Sequence, residues 1–284
     1  MKVAINRDLV RIQEECNIRI IFACQIGSRA WGFNRENSDR DIWFAYVKSN
    51  AEYMQIEEPP LPVYADDAAL KVYHDSITVR PRPEVEYHGW DLKKVFKNLR
   101  RSKHALIEYL KLPNIVDLNP SALTLKSLAH QQFNPAVSAA SAFGMACTFY
   151  GQWKRDPTNN KPVFNAVRCF IQAQWAKELG TLPPADIQNL LEWNHTRNAG
   201  SIREDILMLI ERRRNLLWGG PSDAVVEWLE VMSKKGSDFG NPDGLNIDYD
   251  DGLNEVFAAV VHAVEEARHT RSRGITQLEE GKLL

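Results

Sequence analysis

Apolar and polar positions follow two periods along this chain, and the change from one to the other divides it. Residues 3–17 set Val3, Leu9, Val10, Ile12 and Cys16 among charges at helical spacing, which predicts an amphipathic first helix. Residues 19–26 form a β-branched, apolar run suited to a buried strand, and residues 41–47 form a second. A short helix is expected between them at 30–36, although Gly32 weakens it. Pro59, Pro60 and Pro62 make 49–67 a loop or insertion. Residues 70–80 and 84–88 read as further strands, separated by Pro81 and Pro83.

From there the period becomes helical. Asp91 is placed to cap a helix whose apolar side is Leu92, Val95, Phe96 and Leu99, with Lys93, Lys94, Lys97 and Arg100 opposite. A second helix around 105–110 is stopped by Pro113. Beyond Asn119-Pro120 the pattern is helical to about Trp218, broken at Asn134-Pro135, at 156–162, at Pro183-Pro184 and at Gly219-Gly220. A Gly/Asp-rich loop at 236–252 precedes a last helix over 253–269 and a frayed tail. Strands first and helices afterwards predict an α+β protein, with a small mixed-sheet domain over 1–118 and a helical domain over 119–284.

Bulk properties narrow the choice of function only a little. At 284 residues, 44% hydrophobic and 25% charged, the chain is an ordinary globular protein. Its net charge of -2 supplies no global attraction to nucleic acid, so any such binding needs a local basic patch. The four cysteines form no CxxC pair and read as buried free thiols. With a charged start and apolar runs too short to span a bilayer, a cytoplasmic protein without a membrane partner is expected. The histidines, His88 among them, show no ligand spacing, so a histidine-based site is not expected.

The informative chemistry lies between the first two strands. Gly27-Ser28 ends the first, and Ser38-Asp39-Arg40-Asp41 opens the second. On an extended backbone Asp39 and Asp41 project to one face, with Arg40 turned away. Two carboxylates on one face repel each other unless a cation sits between them, and oxygen ligands suit Mg²⁺. The Gly-Ser turn offers backbone N–H groups and the Ser28 hydroxyl to a phosphate. Trp31 and Trp43 lie near this motif and read as core, with base stacking a secondary role.

In these residues the chain resembles the DNA polymerase β-like nucleotidyltransferase superfamily. Together with Val85-Glu86, the Trp90–Phe96 segment and Ala105-Leu106-Ile107-Glu108-Tyr109-Leu110, it looks like the RlaP-type branch, which is associated with RNA repair. The resemblance implies transfer of a nucleoside monophosphate from an NTP to an acceptor hydroxyl, with RNA as the expected acceptor. It implies Mg²⁺ or Mn²⁺ held by Asp39, Asp41 and a third carboxylate at Glu86, where the family usually has Asp. Glu84 lies on the same strand face and competes with Glu86. Gly27 and Ser28 would hold the β/γ-phosphates. Lys161 and Arg168, the latter in Ala166-Val167-Arg168, match a basic pair that would hold the triphosphate. The competing readings are an NTP- or RNA-binding regulatory protein, and a nucleotidyltransferase acting on a small molecule or a protein.

Overall fold

The computed structural model describes residues 2–56, 70–73, 75–116, 119–197, 202–217, 219–240 and 251–280. Helix α1 (Lys2–Glu15) leads into strand β1 (Arg19–Ile26), the one-turn helix α2 (Gly27–Trp31) and strand β2 (Arg40–Val47). Helix α3 (Asn50–Tyr53) follows, then β3 (Leu70–Tyr73), β4 (Ser76–Arg82) and β5 (Val85–Asp91). The strands form a five-stranded mixed sheet in the order β1-β2-β5-β4-β3. Among the described strands only β2 and β5 are parallel neighbours; the other pairs are antiparallel.

Both sheet faces are covered, which is why β1 and β2 read as nearly continuous apolar runs. Ile42, Phe44 and Tyr46 of β2, with Val85 and Tyr87 of β5, pack against Ile5, Leu9 and Ile12 of α1. The alternate residues Trp43, Ala45 and Val47 face the other way. There they meet α4 (Leu92–Arg100), α5 (His104–Lys111), α6 (Pro120–Gln131) and α12 (Asp251–Glu280). Asp91 caps α4 as the sequence indicates, accepting from the Lys93 N–H at 2.8 Å.

A helical body completes the fold: α7 (Pro135–Arg155), α8 (Lys161–Leu179), α9 (Ile187–His195), α10 (Arg203–Arg214) and α11 (Asp223–Ser233). Its core is centred on Phe164, Val167 and Phe170 of α8 and takes in Trp31 and Phe33 from the sheet domain. The segment after Gly27-Ser28 is therefore clamped between sheet and helices. The expected boundary at 118/119 falls beside residues 117–118, outside the described residues. Helices α6 and α12, which come after it in sequence, pack on the sheet.

Several elements depart from the sequence expectation. The short helix starts at Gly27, directly after β1, and ends at Gly32 in the left-handed conformation (φ 87°) instead of running over 30–36. Residues 70–80 are two strands of a hairpin, not one. Pro81 sits inside β4 at an irregularity between Val79 and Arg82, where no ladder donor is needed. The last helix reaches Glu280, past the expected 269. Of the expected loop at 49–67, Ser49 and Glu52 form a capping box on the single turn α3, and 57–69 lie outside the described residues.

Candidate active site

Strand register brings the acids together. The parallel β2–β5 pair sets Asp41 opposite Glu86, and the antiparallel β1–β2 pair sets Ile26, the residue before Gly27, opposite Asp41. Asp41 shares its strand face with Trp43, and Glu86 shares its own with His88, on the side away from α1. One ligand atom each from Asp41, Glu86 and His88 lie within 4.8 Å of one another. His88 Nε2 is 3.7 Å from Glu86 Oε2. Glu84, the competing third carboxylate, points to Arg82 Nε at 3.3 Å and is 64% exposed.

His88 is the residue that sequence reasoning missed. It stands two positions after Glu86 on an extended strand, so the alternation that pairs Asp39 with Asp41 also pairs Glu86 with His88. The set remains mainly carboxylate, with His88 a single imidazole beside it.

Asp39 lies just outside the strand and is held differently. Its Oδ2 accepts from Arg80 Nη2 at 3.2 Å, across from β4. The loop that carries it is fastened from α2: Arg29 donates to the Ser38 carbonyl at 2.7 and 3.1 Å and to the Glu36 carbonyl at 2.8 Å. The Ser38 hydroxyl accepts from the Arg35 N–H at 2.8 Å. Arg40 turns back to β1, with Nη1 3.3 Å from Gln25 Oε1.

Gly27 adopts φ 74°, a left-handed conformation that glycine takes without penalty. A side chain there would run into the Asp41 carboxylate, its Cβ falling 2.9 Å from Asp41 Cγ. The Gly-Ser turn and the acid opposite it are thus in contact. Ser28 is buried, and its carbonyl accepts from the N–H groups of Gly32 and Phe33, both at 3.1 Å, closing the turn.

Lys161 opens α8 and lies near enough to Asp41 for its charge to act on that carboxyl. Burial raises the Asp41 pKa first, and Asp39 and Glu86 add to the rise, while Lys161 and His88 oppose it. Crowded negative charge that costs energy without a cation is the condition a bound divalent ion relieves. Carboxylates with one imidazole are also a donor set that divalent ions accept.

The structure does not bring Arg168 to these acids. It is 2% exposed, ion-paired with Glu108 and stacked on Trp31 with Cζ 4.1 Å from the ring centre. Trp31 in turn stacks on Tyr109 at 6.3 Å, and Tyr109 meets Trp43 at 5.4 Å. Both tryptophans near the motif are buried, in keeping with a packing role.

Comparison with known proteins fits this geometry. Residues 1–232 match the model of the RNA repair pathway DNA polymerase beta family, RlaP. The chain is 27% identical over 216 residues to the uncharacterized protein YcgL of Bacillus subtilis (strain 168), covering 75% of this chain and 77% of that one. Among solved structures, a nucleotidyltransferase-like protein from Exiguobacterium sibiricum 255-15 is 11% identical, over 84% of this chain and 78% of that one. The TM-score of that pair is 0.32. No described helix is long and apolar enough to cross a membrane.

Proposed function

We propose that this chain, which belongs to the RlaP family of polymerase-β-type nucleotidyltransferases, moves a nucleoside monophosphate from an NTP to an acceptor hydroxyl on RNA. The observation that carries the reading is the facing of Asp41 and Glu86 across β2–β5, with Gly27 in contact with Asp41. Such a reaction needs its metal carboxylates beside its phosphate turn, and the nearness of Asp41, Glu86 and Gly27 supports that reading.

Asp39, Asp41 and Glu86 would hold the divalent ions, Mg²⁺ or Mn²⁺, with His88 as a further donor. Bound ions in such sites stabilise the attacking and leaving oxygens of an in-line displacement. The residues themselves orient and neutralise. Gly27 lets the backbone approach the β/γ-phosphates, the Ser28 hydroxyl donates to them, and Lys161 adds a positive charge on the side of the helical body. The acceptor hydroxyl gives up its proton to solvent, its oxygen forms a bond to the α-phosphorus, the bond from that phosphorus to the bridging β-phosphate oxygen breaks, and pyrophosphate leaves. Alignment and charge compensation carry this class of reaction, so these groups suffice without a covalent intermediate.

The test is incubation with each labelled NTP, Mg²⁺ or Mn²⁺ and a mixed RNA pool, beside an Asp41→Asn control. Label on RNA with the unaltered protein alone supports the proposal. Label on the protein or on a small metabolite transfers the mechanism to another acceptor. NTP binding without transfer of label rejects the enzymatic reading in favour of a regulatory one.

A further inference from the structure

A second charged feature lies beside the site, in a cavity of about 420 Å³ between the helical body and the loop that leads to Asp39. Arg35 lines it from that loop, and Arg212 and Arg213 line it from the last turn of α10. Its floor includes Asn159 and Asn160, the two residues before Lys161. The pocket is therefore one residue from the lysine that acts on Asp41, and Arg35 is four residues before Asp39.

The pocket is built, not incidental. Asn160 Nδ2 donates to the Gly219 carbonyl at 2.6 Å, tying the start of α8 to the far wall. Arg213 Nε donates to the Phe33 carbonyl at 3.3 Å and Arg214 Nη2 to the Gly32 carbonyl at 3.0 Å, tying α10 to the loop. These bonds fix the backbone yet leave the positive charge uncancelled. Among the described residues no carboxylate pairs with Arg35, Arg212 or Arg213. Burial lowers the Arg213 pKa and Arg35 lowers it further, the mark of like charges held together without a counter-ion. Three guanidiniums converging on one cavity suit a phosphate ester, which accepts their planar donors in pairs.

The remaining wall is apolar. Leu209, Leu216 and Leu217 line it, and Leu216 and Leu217 are 63% and 62% exposed. Leu216 also takes φ 57°, a conformation a leucine adopts at a cost. An apolar shelf beside arginines fits a ligand with a sugar and base attached to its phosphate better than it fits a bare anion.

We propose that this pocket seats a backbone phosphate of the acceptor strand, holding the strand so that its reactive hydroxyl reaches the carboxylates. This inference rests on the nucleotidyl-transfer reading above. The NTP phosphates are assigned there to Gly27, Ser28 and Lys161, so a separate arginine pocket is left for the other substrate.

The test compares the unaltered protein with Arg35→Gln/Arg212→Gln, leaving Arg213 and Arg214 in place because they hold the loop. Binding of a labelled short single-stranded RNA is read across a salt series without divalent ion, and binding of labelled ATP is read in parallel. RNA affinity should fall about tenfold, and the slope of log affinity against log salt should flatten by about 0.7 for each phosphate no longer neutralised. ATP affinity should be unchanged, and an Arg35→Lys/Arg212→Lys protein should keep most of the salt slope. Unchanged RNA binding would overturn the proposal. So would a loss of ATP binding equal to or larger than the loss of RNA binding, which would assign the pocket to the triphosphate. Because no transfer is measured, RNA binding that depends on these arginines in a protein that moves no label would reject the proposed reaction and leave the pocket standing.

Discussion

Gly27 and Asp41 meet where β1 ends and β2 begins, and the contact leaves no space for even a methyl group. Two demands coincide at position 27: a left-handed backbone and an unobstructed carboxylate. Gly27→Ala should destabilise the fold by about 1–2 kcal/mol through the backbone alone. Displacing Asp41 should remove transfer activity far more completely than that loss of stability explains. Activity assayed well below the melting temperature separates the two effects; a stable, fully active alanine protein would contradict the contact.

His88 beside Asp41 and Glu86 has a consequence for metal preference. Carboxylate oxygens serve Mg²⁺ well, whereas an imidazole favours transition ions. The protein should therefore bind Mn²⁺ more tightly than Mg²⁺, and His88→Ala should shrink that preference by reducing Mn²⁺ affinity while sparing Mg²⁺. Calorimetric titration with each ion reads both numbers. An unaltered ratio in the alanine protein removes His88 from the coordination set.

Asp39 is already engaged, by Arg80 at 3.2 Å, and a divalent ion must share that carboxylate or release it. The pair is partly exposed, so it contributes no more than about 1 kcal/mol to stability. Arg80→Gln should accordingly leave the melting temperature nearly unchanged. It should raise metal affinity several-fold at low ionic strength, with the gain fading as salt screens the pair. A variant with weaker metal binding would show instead that Arg80 orients Asp39 for its ligand.

How much of this was readable in the chain depended on the range of the interaction. Strands β1 and β2, the Asp91 cap and the α+β order follow from local period and from residues with one dominant use. The resemblance, not any local pattern, favours Glu86 over Glu84, and the β2–β5 register then sets Asp41 opposite Glu86. His88 was legible by the same alternation that grouped the aspartates, but it lacked the usual sequence spacing of metal-binding histidines. Arg168 illustrates the converse: its helical spacing from Lys161 is real, yet Glu108, sixty residues earlier, claims its guanidinium. Arg35, Arg212 and Arg213 form a group only after folding, because α10 is fastened to the loop through backbone carbonyls at Gly32 and Phe33.

The Glu108–Arg168 pair joins α5 of the sheet domain to α8 of the helical body, and both side chains are 3% exposed. Removing one partner strands a buried charge, which costs about 3–5 kcal/mol. Arg168→Met or Glu108→Leu alone should thus lower stability severely in urea melts. The double variant should recover a large part of the loss, since neither charge is left behind. If the double variant is no more stable than the singles, the network around the pair matters more than the pair.

That network ends at His104, and its hydrogen bonds fix the tautomer. Gln172 Nε2 donates to Glu108 Oε1 at 2.6 Å and to the Pro184 carbonyl at 2.9 Å, so its Oε1 must face His104 Nε2 at 3.0 Å and accept from it. His104 Nδ1 is then an acceptor for the Ser138 hydroxyl at 3.0 Å. A second proton on the ring would reverse the Ser138 bond, Nδ1–H then donating to the hydroxyl, and would place a positive charge inside the core. Burial lowers the His104 pKa from its ordinary 6.5, and the Arg168 charge pushes the same way, while Glu108 and the Gln172 bond oppose them. Below pH 6.5 the unfolded chain binds a proton that the folded chain refuses. Stability contributed by the neutral ring is complete above that pH and declines as pH falls toward the folded-state value. The slope this one group adds is at most about 1.4 kcal/mol per pH unit. Urea midpoints measured from about pH 8 to about pH 5 should fall on the acid side, and His104→Gln, though less stable at the alkaline end, should flatten that fall. Equal slopes in the two proteins would mean that His104 takes up its proton as readily in the folded chain as in the unfolded one.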